Sequence, residues 1–99
     1  METFKDIING DKPVLVDFHA TWCGPCKVMS PTIESVGKEL KGQARVLKID
    51  VDKNNAVANL YRIQSVPTLI IFKKGEAVWR NSGVMEKSAL LEQIKQFID

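Results

Sequence analysis

Val14-Leu15-Val16-Asp17-Phe18-His19-Ala20-Thr21-Trp22-Cys23-Gly24-Pro25-Cys26-Lys27 is the stretch around which the chain is organised. Its first half is an apolar, β-branched run that reads as a strand buried on both faces. Its second half is a two-cysteine turn running straight into a helical pattern. The only cysteines of the chain, Cys23 and Cys26, therefore stand where a strand ends and a helix begins.

In the first turn of a helix, side chains at i and i+3 are neighbours, with Cβ atoms roughly 5–6 Å apart. A disulfide needs about 3.8 Å between Cβ atoms, so a small local shift closes the pair. So short a loop removes little entropy from the unfolded chain, which makes the bond a poor staple and suits it to being made and broken. The two sulfurs are unequal. Cys23 falls near the N-cap, where unpaired N–H groups and the helix dipole favour a thiolate. Cys26 lies inside the turn and is expected to be the more shielded. Cys23 reads as the nucleophile and Cys26 as the resolving thiol. Pro25 presets φ for a helix start, and Gly24 leaves room for another molecule's backbone.

Outward from this stretch, Phe4, Ile7 and Ile8 predict a short helix over Thr3–Asn9, stopped by Gly10. The strand spans about Pro13–His19, and Asp17 is its anomaly, because a buried carboxylate is costly unless paired or protonated. An edge position reaching water is the alternative; set among Val14, Leu15, Val16 and Phe18, the residue reads instead as a proton acceptor and donor for Cys26. His19, the only histidine, has three readings. It is a zinc ligand, a second acid–base group, or a packing residue with some tuning of the cysteines. Packing is favoured, and zinc lacks further cysteine or histidine ligands.

A helix follows to about Leu40 with Met29, Ile33, Val36 and Leu40 on one face, and Pro31 is expected to kink it. Arg45–Asp50 reads as a second buried strand carrying Lys48, and a capped loop at Asp52-Lys53-Asn54-Asn55 opens a short helix through Tyr61. Pro67 opens the apolar run Thr68–Phe72, where a trans proline at a strand start is the ordinary expectation. Lys73-Lys74-Gly75-Glu76 is a hairpin turn into a strand at Ala77–Asn81. An amphipathic helix over Glu86–Ile98 completes the chain. The order is that of an α/β domain with crossovers that make the first pairings parallel.

Trp22-Cys23-Gly24-Pro25-Cys26-Lys27 resembles the active-site signature of the thioredoxin family; Val16-Asp17-Phe18 and Val66-Pro67-Thr68 match its buried aspartate and its cis-proline. Lys48, Gly75 and Gly83 fall at family positions too. The resemblance covers nearly the whole chain and implies a single domain, 1–99, with the thioredoxin fold. It implies a central mixed four-stranded sheet, the family's first strand missing, flanked by helices on both faces. It implies catalytic roles for Cys23, Cys26, Asp17 and Lys48. Trp22, Gly24, Pro25, Val66, Pro67, Gly83 and Val84 become the substrate-binding surface. A cis Pro67 would leave the backbone of Val66 free to pair with an extended substrate. His19 departs from the aromatic residue the family often has there.

The activity implied is reduction of disulfides in partner proteins, such as reductive enzymes and peroxidases. Electrons would come from NADPH through a flavin-dependent thioredoxin reductase, the chain itself holding only its redox disulfide. Gly24-Pro25 is the reductant's pair in this family, whereas oxidising relatives carry a histidine before the second cysteine. A binding module whose thiols do not matter is the reading from another class. Composition agrees with a soluble domain, at 44% hydrophobic and 26% charged residues. A net charge of +2 with scattered lysines gives no nucleic-acid face. No apolar run approaches the roughly 20 residues of a membrane span. With no secretory signal at its N-terminus, the chain is expected in the cytoplasm as a monomer, or exported if a leader has been removed.

Overall fold

Residues Val14, Leu15, Val16 and Phe18 are wholly buried, and the strand that carries them, β1 (Val14–His19), lies inside the sheet. A computed structural model describes residues 1–99. Around β1 it places α1 (Phe4–Ile8), α2 (Gly24–Glu39), β2 (Arg45–Asp50), α3 (Asn55–Leu60), β3 (Thr68–Lys73), β4 (Glu76–Ser82) and α4 (Lys87–Lys95). The sheet has four strands in the order β2-β1-β3-β4, which gives β1 a partner on each side and leaves β2 and β4 as edges.

Alternation along β1 divides its side chains between two cores. Leu15 packs with Met29, Ile33 and Val36 of α2 and with Leu90 and Ile94 of α4. Val14, Val16 and Phe18 pack on the opposite face with Ile8 of α1, and Val57 of α3 leans on the same cluster. Helices thus cover both faces. By the same period of two, Asp17 and His19 project to the α2 side, in line with Leu15.

The pairing corrects one expectation. β1 and β2 are parallel, but β3 runs antiparallel to β1. A six-residue strand covers about 20 Å, whereas the six residues of α3 rise only about 9 Å. α3 does not itself carry the chain back along the sheet, and the residues after it lead β3 in from the end at which β2 stops. That end also holds the cysteines, so Pro67 arrives beside them.

Other elements follow their local chemistry. Thr3 and Asp6 close a capping box on α1, with bonds of 3.1 and 3.0 Å. Pro31 does not divide α2, which is one element from Gly24 to Glu39. The β3–β4 turn is only Lys74-Gly75, both at positive φ (52° and 87°), as a type I′ turn requires. The turn is anchored on α1, where Gly75 N–H donates to Ile8 C=O at 2.8 Å.

Candidate active site

The first turn of α2 is built on Cys23. Its extended backbone (φ −91°, ψ 113°) makes it the N-cap, and its Sγ accepts from the Cys26 N–H at 3.1 Å. Cys23 and Cys26 are joined as a disulfide with Cα atoms 5.3 Å apart. Pro25 sits in the opening turn, where no N–H is needed. A Cβ added to Gly24 would meet nothing within 4 Å, so the space beside the sulfurs is open. The expected difference in shielding is absent. Cys23 and Cys26 are 4% and 5% exposed, because Ala20, Val51 and Val66 cover the pair together. What separates the sulfurs is the cap position.

On one side of the disulfide, the Val66–Pro67 peptide bond is cis. The Val66 carbonyl oxygen lies 3.6 Å from Cys23 Sγ. Gly83, at φ +99°, donates its N–H to the Pro67 carbonyl at 2.8 Å, and that conformation favours a residue without Cβ. Val84 follows, exposed. Trp22 is 70% exposed, yet it is held in place, since its Nε1–H donates to Asp52 Oδ2 at 2.9 Å. Between Trp22, Val51, Ile63 and Val66 runs a groove of about 200 Å³.

On the other side lies a cavity of about 350 Å³ lined by Asp17, His19, Cys26, Lys27, Ser30 and Lys48. Asp17 is 2% exposed and its Oδ1 has no hydrogen-bond partner. Burial pushes its carboxyl above the usual range, and the charges of His19 and Lys48 draw it only part of the way back. Lys48 is the β2 neighbour of Asp17. Its Nζ, however, donates to Ser30 Oγ at 2.7 Å and to Glu34 Oε1 at 3.2 Å. The ammonium is thus engaged by α2, and the aspartate keeps an unpaired oxygen.

The residues expected at the site divide between these two surfaces and the disulfide. Sequence reasoning missed Asp52, Ser30 and Glu34. Asp52 read as part of a capped loop, and nothing in the chain links it to Trp22 across 30 residues.

The family model named Thioredoxin matches residues 1–96. The chain belongs to the thioredoxin family. A thioredoxin-like protein of Synechocystis sp. is 50% identical over 96 residues, covering 96% of this chain and 91% of that protein. A bifunctional thioredoxin reductase/thioredoxin of Mycobacterium leprae is 43% identical over 95 residues, covering 96% of this chain and 21% of that protein. Among solved structures, a mutant thioredoxin from Halobacterium salinarum NRC-1 superposes with a TM-score of 0.86 at 38% identity, covering 96% of this chain and 82% of that one. The thioredoxin chemistry of the pair Cys23–Cys26 is thiol–disulfide exchange. The bond is the redox-active group.

Proposed function

We propose that this thioredoxin works as a general reductant of protein disulfides, with Cys23 attacking and Cys26 resolving. The Cys23 thiolate, favoured by the N-cap, attacks one sulfur of a client disulfide, forming a mixed disulfide and releasing the other client sulfur as a thiolate. Cys26 then gives its proton to Asp17 and attacks Cys23. The Cys23–client bond breaks, and the client leaves reduced while Cys23–Cys26 closes.

The observation that carries this reading is the unpartnered Asp17 oxygen in the cavity that also opens on Cys26. A buried carboxylate with no structural partner lowers stability, and a proton-transfer role accounts for its presence. The client segment runs along Trp22, Gly24, Pro25, Val66, Gly83 and Val84, pairing with the free backbone of Val66 as an added strand does. Lys48 acts on Asp17 through its charge.

Direction follows from Gly24-Pro25. No histidine precedes Cys26 to stabilise the reduced form further, which favours giving electrons over taking them. Regeneration falls to a thioredoxin reductase drawing on NADPH through a flavin. Support comes from the Mycobacterium leprae relative, whose name joins the two activities in one chain.

The test uses insulin as client. Cys23→Ser should lose turnover while staying folded, and Cys26→Ser should accumulate stable mixed disulfides, since attack survives and release does not. Iodoacetamide should label Cys23 before Cys26 in the reduced protein near neutral pH. The opposite order would reverse the assigned roles.

A further inference from the structure

The cavity behind the disulfide poses a transport problem. Its inner end is the Asp17 carboxyl, 2% exposed and lacking a donor on Oδ1. An acid so placed that takes a proton from Cys26 in every cycle must also pass it to water.

The groups that face it are few. β3 offers Leu69 as the neighbour of Asp17, apolar and buried. β2 offers Lys48, tied to Ser30 and Glu34, and an ammonium has no lone pair with which to accept a proton. α2 offers Cys26, Ser30 and the exposed Lys27. Asp50, the β2 neighbour of His19, uses Oδ1 to accept from the backbone N–H groups of Asp52 and Lys53.

His19 remains. It lies two residues after Asp17 on the same strand, hence on the same face. It lines the same cavity and is half-buried, so it has access both to the space that holds the carboxyl and to solvent. A neutral imidazole has one nitrogen that accepts a proton and another that releases one. The hydroxyls of Thr21 and Ser30, which also line the cavity, both accept and donate, but only the imidazole can hold the proton as a stable cation on its way to water.

We propose that His19 relays protons between Asp17 and solvent, acting on the resolving step through Asp17. The inference rests on Asp17 being the acceptor for Cys26. In the resolving step the Cys26 proton moves to Asp17, the Cys23–Cys26 bond forms and the Cys23–client bond breaks. The electron pair leaves on the client sulfur, which takes a proton from water. In the same step Asp17 passes a proton on across the cavity to the free nitrogen of His19, and His19 loses one to water from the other nitrogen, so the rate of resolution senses the relay. The protein returns to its starting protonation.

The experiment measures the rate of the resolving step in single turnovers of the reduced protein with excess insulin. Samples are quenched in acid, and mixed and closed disulfides are counted by mass spectrometry. His19→Ala should slow resolution on the order of tenfold, less than the roughly 10²-fold or more of a direct general base, because His19 acts at one remove. Added imidazole should restore the rate in proportion to its concentration by entering the vacated space, and should not accelerate the wild type. His19→Gln, which fills that space without a titrating group, should be slow and refractory to imidazole. In an Asp17→Asn background, His19→Ala should have no added effect, because the relay then has nothing to carry. Unchanged rates in both His19 variants overturn the proposal. So does a loss that imidazole fails to recover and that recurs undiminished beside Asp17→Asn, which would mark a structural role. If instead Asp17→Asn alone leaves resolution at the wild-type rate, the reading of Asp17 falls and the relay falls with it.

Discussion

Two surfaces lined by different kinds of residue meet at the Cys23–Cys26 bond. The groove of Trp22, Val51, Ile63 and Val66 is largely apolar, open, and assembled from separate loops. The cavity of Asp17, His19, Ser30 and Lys48 carries the ionisable side chains, and comes mainly from one strand face and the helix turn beside it. Loops are the usual place for recognition, and regular elements hold groups in a fixed geometry. The contrast teaches that client capture and proton handling occupy different sides of the same bond, so substitutions should separate them.

The largest expected separation comes from the cavity. Asp17→Asn should slow the resolving step by about 10²-fold, the ordinary scale of a lost general base. Capture of client by Cys23 should continue, so mixed disulfide should build up in quenched samples. A fall in capture with unchanged resolution would invert the assignment of the two sides.

Trp22→Ala should do the reverse. Removing the exposed ring takes away one wall of the groove, and kcat/KM for insulin should fall about tenfold, as for an interface aromatic. The resolving rate, read from the same quenched samples, should stay at the wild-type value. Smaller still is Asp52→Asn. The exposed bond to Trp22 Nε1 at 2.9 Å keeps an oxygen acceptor but loses its charge, a change of about 0.5 kcal/mol or roughly twofold in kcat/KM. An effect of Asp52→Asn equal to that of Trp22→Ala would mean that the ring has no fixed place without the carboxylate.

The two surfaces also differ in how far the sequence exposes them. The strand–turn–helix unit with its cysteine cap was legible, because periodicity, β-branched residues and the Pro25 position all act locally. Asp17 stood out for the same reason, a lone carboxylate in an apolar run. The β3–β4 hairpin was legible from Lys74-Gly75, although the turn proved two residues long and β4 begins at Glu76. What local pattern could not supply was anything fixed by the return path of the chain. The antiparallel entry of β3 depends on the path of the whole connection from β2, not on any motif. The cis bond before Pro67 was legible only through family resemblance, since sequence favours trans. The grips of Asp52 on Trp22 and of Ser30 and Glu34 on Lys48 are single polar contacts between separate elements. Such residues look like ordinary surface until the fold brings their partners to them.

The central claim is that Asp17 is held for chemistry at the expense of stability, and its pH dependence tests that claim most directly. Burial raises the folded-state pKa of Asp17 above its unfolded value of about 3.9. The folded protein then binds this proton more tightly than the unfolded chain does. The contribution of Asp17 to stability is fully present below the unfolded pKa, is lost as pH rises through the folded one, and stays lost above it. The measurement is the unfolding free energy of oxidised wild type and oxidised Asp17→Asn by denaturant titration across that range. Asp17→Asn should be the more stable protein at pH 7, by about 1.4 kcal/mol for each unit by which the pKa is raised. Its advantage should shrink as pH falls toward the unfolded pKa, while effects of other groups cancel in the difference. An Asp17→Asn protein less stable than wild type at pH 7, with a deficit that shrinks on acidification, would make Asp17 a paired structural carboxylate and contradict the account.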